Sequence, residues 1–271
     1  MWQSKITLLG MGFMLTIVCV YNNYDILKEW LLNSLEKIGN TDYELILIDN
    51  TNGRFRSAAK AFNSVINRVK GDHVMFVHQD VKIESPLSEF EKYLYRLPDL
   101  GVAGLAGKRE DLPYVIGNVT HGEPPRPACR ISVRKPIRVQ TVDSLLFIIP
   151  TEVLRKIRFD EEVCDNWHLY CEDYCLMAQE KLGLRVYILP LKAYHKSTGT
   201  IVKKGSLTNP LSYLPFPKEY YRTLIKVLRK HRRFFKEIYT TCGNYPTRLP
   251  WLYIYRLAFL KVVRGAISKL I

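Results

Sequence analysis

The stretch at residues 73–83, "HVMFVHQDVKI", decides how the rest of the chain is read. Val74, Met75, Phe76 and Val77 form a short continuous apolar run, as expected of a strand covered on both faces. The next three residues, His78, Gln79 and Asp80, are polar and able to hold a ligand. Such a strand end raises the question of what needs an acid there.

Working outward, two more apolar strands precede this one at near-equal intervals, over residues 15–20 and 44–48. Helical stripes lie between them: Ile26, Leu27, Trp30, Leu31, Ser34, Leu35 and Ile38 in the first, Ala58, Ala59, Phe62, Val65, Ile66 and Val69 in the second. This is a βαβαβ pattern, hence a Rossmann-like, mostly parallel sheet with helices on both faces. A helix over 86–97, with proline at its start, leads to a strand over 101–106. Residues 107–138 read as a long loop containing "HGEPPRPACR", either a substrate-side flap or disordered chain. A strand over 144–149, a short helix from Thr151 and a helix over 172–182 follow, the last with acids at its start and Gly183 as its stop. "RVYILP" supplies one more strand.

The 271 residues are 47% hydrophobic, enough for a real core and too many for a disordered chain. Lys and Arg outnumber Asp and Glu by 40 to 26, and from Lys218 onward there are 13 basic and 2 acidic residues. The excess therefore sits in the last fifth, which argues against a nucleic-acid binder, since acids surround the expected cleft. Six scattered cysteines without a CxxC pair read as reduced cytosolic thiols; Cys171 and Cys175, one helical turn apart, would need two more ligands to make a zinc site. The apolar start is short for a membrane span and is broken by Gly10, Gly12 and Thr16, and translation could begin at Met11 or Met14. Three parts are expected: an extension over 1–13, a catalytic domain over 14–217 and a basic amphipathic helical tail over 218–271. The tail pairs helix patterns over 218–239 and 248–271, too apolar for a solvated helix and too charged to span a bilayer. An interfacial helix on anionic lipid fits this composition, with packing onto the domain or a partner as the alternative.

In an open α/β sheet ligands bind at the carboxyl ends of the strands. Those ends are Tyr21, Asn22 and Asn23; Asp49 and Asn50; Gln79 and Asp80; and, beyond the last strand, His195 and Lys196. With no GxGxxG and no GxxxxGK[ST], phosphate must be held another way. Two acids and a histidine at one rim suit a nucleoside diphosphate with a hard cation, and the imidazole leans the choice between Mg2+ and Mn2+ toward Mn2+. Asp49 can bond a base or ribose, and Tyr21 offers a ring face to a nucleobase.

"TIVCVYNN", "ELILIDN", "AAKAFNSVINRVKGDHVMFVHQDV", "VDSLLFIIP" and "WHLYCEDYCLMAQEKLGLRVYILP…YHKSTG" come in the order seen in GT-A fold glycosyltransferases, and the set resembles the family 2 type over roughly residues 15–199. The resemblance implies an inverting transferase using a nucleotide-sugar, UDP-linked before others, on a glycan or lipid-linked hydroxyl in cell-surface polysaccharide or glycoconjugate synthesis. It implies that Tyr21, Asn22 and Asp49 contact the nucleoside with Asn63 nearby, and that Gln79 and Lys196 belong to the donor site. By the same likeness Asp80 is the metal-holding acid and His195 the later histidine at metal or diphosphate. Asp143 then stands near the donor sugar, Asp173 is the base with Glu172 its competitor, and Trp167 and His168 lie on the acceptor side. The protein would work in the cytoplasm, peripherally at the inner face of the membrane. Two departures stand out. His78 replaces a first acid, which puts the metal site in question, and Asp49-Asn50-Thr51 lacks a paired acid. No QxxRW motif is visible, which suits the addition of one sugar per encounter. Competing readings are a sugar nucleotidyltransferase, which should show an early Gly-rich phosphate loop, and a non-catalytic nucleotide-sugar-binding relative.

Overall fold

The computed structural model describes residues 14–38, 42–196 and 214–267. The extension expected over 1–13 lies outside them. The central sheet has seven strands: β1 (Leu15–Tyr21), β2 (Tyr43–Asp49), β3 (His73–Val77), β4 (Leu100–Gly104), β5 (Ile137–Val139), β6 (Leu146–Pro150) and β7 (Arg185–Ile188), in the order β5-β7-β4-β6-β3-β1-β2. β1 is parallel to both β2 and β3, and β4 to β7, while β6 and β5 run against their neighbours, so five of the seven strands share one direction.

The continuous apolar run of β3 is explained by cover on both faces. Val74 and Phe76 point into a core with Val18, Phe147 and the helix α2 (Ala58–Asn63), which contributes Ala58, Ala59 and Phe62. Met75 and Val77 point the other way, into a core with Ile17, Ile148, Leu27 and Leu31. These last two belong to α1, the helix over 24–37 whose middle turn, Lys28–Leu32, is a π-helix. Strand alternation thus divides one apolar run between two cores. Asn23 caps α1 by accepting from the Ile26 N–H at 3.1 Å, and Ser57 caps α2 through the Lys60 N–H at 3.2 Å. Helices α3 (Leu87–Leu94) and α4 (Thr151–Lys156) follow β3 and β6 as expected. α5 (Tyr170–Leu182) ends at Gly183, whose φ of 65° is the left-handed turn that glycine adopts most readily.

Residues 107–138 differ from the expected loop. Short strands at Ala106–Lys108, Ile116–Gly117, Val119–His121 and Arg126–Pro127 build this region into two small sheets. Strands of two or three residues carry no readable periodicity, which is why the sequence pattern dissolves there. One of these sheets also contains Val81–Ile83 and Ala193–His195, and so brings three distant segments to one rim.

The C-terminal part also departs from the expected pair of helices. α6 (Lys218–His231) ends early, and Glu237–Thr240 pairs with Gly243–Pro246 as a hairpin before α7 (Pro250–Ile267). "EIYTT" favours a strand, and Gly243 turns the chain at a φ of 156°, where a Cβ would stand 2.9 Å from the Tyr245 hydroxyl. Tyr220, Leu224, Val227 and Leu228 of α6 pack with Ile238, Tyr245, Ile254 and Ala258 onto Leu169 and Leu176. This segment is therefore joined to the catalytic fold through a third apolar core. No helix among the described residues is long and apolar enough to cross a membrane.

Candidate active site

The parallel register sets Tyr21 beside Asp49 at the ends of β1 and β2. Most polar groups here hold one another. Gln79 Oε1 accepts from the backbone N–H groups of Asn22 and Asn23, both at 3.0 Å, and its Nε2 donates to Asn22 Oδ1 at 2.7 Å. Asp49 Oδ1 accepts from the Thr51 N–H at 2.8 Å and its hydroxyl at 2.7 Å, and these bonds hold the carboxyl below its ordinary range. Asn50 pairs both ways with the Phe55 backbone, at 2.7 and 3.1 Å. The result is a stiff-walled cavity of about 580 Å3 between Tyr21, Asn22, Asn50, Thr51, Gln79 and Trp167. Asn63 is not in it. Its amide is occupied by Phe159 and Glu161, with bonds of 2.8 to 3.1 Å. Lys196 also lies outside, its ammonium 5.0 Å from the Trp30 ring centre.

The turn after β3 carries His78 and Asp80 to the floor between this cavity and a second. Antiparallel pairing sets His195 opposite Val81, so its Nε2 stands 3.3 Å from Asp80 Oδ1. Ligand-capable atoms of His78, Asp80 and His195 all lie within 4.8 Å of one another. Burial, and then the charge of His195, push the His78 imidazole down to about 4, so it is neutral at physiological pH and has a lone pair to give. Burial opposes the charge on Asp80, but the hydrogen bond and charge of His195 outweigh it, and its carboxyl lies below the usual value. Two imidazoles and one carboxylate thus fit a divalent cation of the Mn2+ kind better than Mg2+. His78 therefore supplies a third ligand-capable group in place of the missing acid. Its ring is steadied at Nε2 by the Tyr170 hydroxyl, 2.9 Å away.

The second cavity, about 600 Å3, extends from this floor toward α5. Leu169, just before α5, has a φ of 60°, a strained conformation for a bulky residue. From that bend Trp167 and His168 reach the cavity, with the His168 ring edge-on to Tyr220 at 5.7 Å. Successive helical residues point about 100° apart, so the two acids of "CED" part company. Glu172 lines the cavity, and its Oε2 is buried with no hydrogen-bond partner. Burial, then the nearby charge of Asp143, push its carboxyl up to about 8. Asp173 faces away and is absent from the cavity wall. Its oxygens accept from Lys230 Nζ at 2.7 and 2.9 Å, and its Oδ1 lies 2.9 Å from His231 Nε2. His231 Nδ1 in turn lies 2.6 Å from Glu180, and Lys230 also bonds Asp160 at 2.8 Å. Asp143 lines the cavity and is held by the Leu145 N–H at 3.0 Å and the Thr241 hydroxyl at 2.6 Å.

Thr241, Cys242 and Tyr220 close this cavity from the C-terminal segment. Nothing in the sequence motifs points to them, because a hairpin turn carries no signal of what it covers. His121, set opposite His195 on the neighbouring strand, joins the wall in the same unannounced way.

A mostly parallel sheet carries carboxylate and imidazole groups at its strand ends, between two adjoining cavities. The chain belongs to a glycosyltransferase-like family, whose family model matches residues 15–198. No curated protein sequence matches it. Its fold is that of solved GT-A glycosyltransferases. TarS of S. aureus in complex with UDP-GlcNAc superposes with a TM-score of 0.54 at 15% identity over 80% of this chain and 66% of that one. The mannosyltransferase PcManGT of Pyrobaculum calidifontis, in complex with GDP-Man and Mn2+, gives 0.54 at 13% over 94% and 75%. GalNAc-T7 with UDP, GalNAc and Mn2+ gives 0.53 at 12% over 79% and 48%. The chain spans only 39% of a longer TarS chain.

Proposed function

We propose that this protein is an inverting glycosyltransferase that moves a sugar from a nucleoside-diphosphate sugar, UDP-linked before others, to a hydroxyl acceptor. The observation that carries the reading is the placement of Glu172, a buried carboxyl whose Oε2 has no hydrogen-bond partner, in a cavity that meets a second one at His78, Asp80 and Trp167. The nucleoside fits the first cavity and the sugar and acceptor the second, with the diphosphate above Asp80. The relatives crystallised with UDP-GlcNAc, and with GDP-Man and Mn2+, support this donor class.

His78, Asp80 and His195 would hold the divalent cation, which would neutralise charge on the departing diphosphate. Glu172 takes the acceptor's hydroxyl proton as the oxygen forms its bond to the anomeric carbon. On the opposite face the carbon–oxygen bond to the diphosphate breaks, and the nucleoside diphosphate leaves with that electron pair. A base with its pKa near working pH suits this step, and proton transfer of this kind is typically worth about 10²–10⁴-fold. Glu172 takes the role expected of Asp173, because Asp173 is enclosed by Lys230 and His231 and lines neither of the two cavities. Trp167, shared by both cavities, would cover the donor, and Asp143 would meet the sugar hydroxyls. The acceptor is a glycan or lipid-linked carrier of cell-surface polysaccharide or glycoconjugate synthesis, used at the inner face of the membrane. The test is a panel of nucleotide-sugars scored for released nucleoside diphosphate with and without Mn2+. Release of pyrophosphate, or binding without turnover, would replace this reading by a nucleotidyltransferase or a sugar-binding relative.

A further inference from the structure

The outer surface of the C-terminal segment is apolar where a solvated helix would be polar. α7 turns Ile254 and Ala258 inward, onto the core shared with α6. On its other side Trp251, Leu252, Tyr255, Phe259, Leu260 and Val263 are exposed, Phe259 at 63%. At about 100° per residue these six cover roughly half the helix circumference. Single exposed apolar residues are ordinary, but a contiguous row of six marks a contact surface.

Beside this row lies a basic corner. Thr247 donates its N–H to the Lys236 carbonyl at 3.0 Å and its hydroxyl to the Phe235 carbonyl at 2.7 Å, stitching the chain after α6 to the chain before α7. Arg232, Arg233, Lys236 and Arg248 are exposed there, together with Phe234 and Leu249. Arg256 lies within the apolar arc and is exposed as well. Neither 232–236 nor 248–267 contains an acid. A second copy seated on this face would bring like charges together, which disfavours self-association. A transmembrane span is excluded for the described helices.

We infer that this surface seats the protein on an anionic lipid bilayer. The aromatic and aliphatic row enters the headgroup boundary, and the four cations of the corner meet lipid phosphates. The inner half of the basic tail, α6, is occupied by the catalytic fold, so the contact falls to α7 and the corner alone. Resting on the proposed transferase activity, this seating suits a lipid-carried acceptor. Tyr220 in the cavity wall and His231 at the corner are eleven residues apart on one helix, about 17 Å at 1.5 Å per residue. The cavity and the basic corner are thus joined by about three turns of one helix.

Flotation of the full chain with vesicles tests this, using phosphatidylcholine alone and phosphatidylcholine with a share of phosphatidylglycerol. The protein should float with the anionic vesicles and barely with the neutral ones. A variant with Arg232, Arg233, Lys236 and Arg248 changed to Gln should lose about a hundredfold in partitioning, and one with Trp251→Gln and Phe259→Gln about tenfold or more. All six positions are exposed, so both variants should keep the wild-type thermal midpoint and the wild-type rate of donor hydrolysis in solution. Absence of flotation, equal flotation of wild type and both variants, or a dimer in light scattering abolished by the Trp251/Phe259 variant would each overturn the inference. Vesicle binding without donor turnover would sink the transferase reading alone, and turnover without vesicle binding would sink the membrane surface alone.

Discussion

The two cavities that meet at Asp80 are built on opposite terms. In the first cavity, proposed for the nucleoside, side chains at the ends of β1, β2 and β3 spend their hydrogen bonds on one another: Gln79 on Asn22 and Asn23, Asp49 on Thr51, Asn50 on Phe55. In the second, proposed for the acceptor, Glu172 is buried with an oxygen that bonds nothing. The first arrangement fixes a shape before any ligand arrives. The second buries a carboxyl whose charged form is disfavoured, so that it binds a proton more readily than an ordinary carboxylate. Polar residues at strand ends can therefore be scaffold as readily as contact.

Glu172 and Asp173 give the sharpest way to break that comparison. Glu172→Gln should lower kcat by about 10²–10⁴-fold while leaving the donor KM nearly unchanged. Asp173→Asn should act on stability, costing about 3 kcal/mol in urea unfolding, because Lys230 and His231 lose a buried counter-charge. If Asp173→Asn left stability intact and abolished turnover while Glu172→Gln turned over normally, the two roles would be reversed.

At the junction, His78→Ala should weaken Mn2+ binding by at least about tenfold, read by the free Mn2+ signal in electron paramagnetic resonance without any substrate. Asp80→Asn should weaken it further. An unchanged affinity in His78→Ala would mean that the imidazole is only a partner for Tyr170.

The pH dependence follows from the raised carboxyl of Glu172. A carboxyl whose folded pKa lies above its unfolded one is protonated longer in the folded state, so its contribution to stability is full at acid pH. That contribution is lost as pH rises from the ordinary carboxylate range toward about 8. Over the same window kcat/KM should rise, since the base must be ionised, with a limb near 8 that moves lower when a cation is bound. Glu172→Gln should remove the alkaline loss of stability and, measured as a thermal midpoint against pH, should be the more stable protein above that limb.

The sheet was legible because β1 to β3 and their helices each follow one period over enough residues to show it. Asp80 and His195 were legible as strand-end groups, and the register that brings them together confirms only that they are neighbours. The helix period of "CED" could not say which acid faces the cavity, since that depends on where α6 docks. α6 docks through its apolar stripe and, at its end, through Lys230 and His231, which carry no motif. The hairpin over 237–246 was hidden because its strands are only four residues each, and the first of them overlaps the end of the helix pattern over 218–239; with it went Thr241 and its bond to Asp143.

The smallest expected effect tests the scaffold half of the comparison. Gln79 makes three bonds between the β3 turn and the start of α1, all at an exposed rim. Each bond there is worth only about 0.5–1.5 kcal/mol net, because water replaces it when it breaks. Gln79→Ala should therefore shift the thermal midpoint little. Yet the Asn22 and Asn23 backbone would lose its fixed position at the mouth of the nucleoside cavity, so the donor KM should rise several-fold with kcat nearly unchanged. A fall in kcat with KM held constant would place Gln79 at the reacting atoms, and the cavity wall would then be contact rather than scaffold.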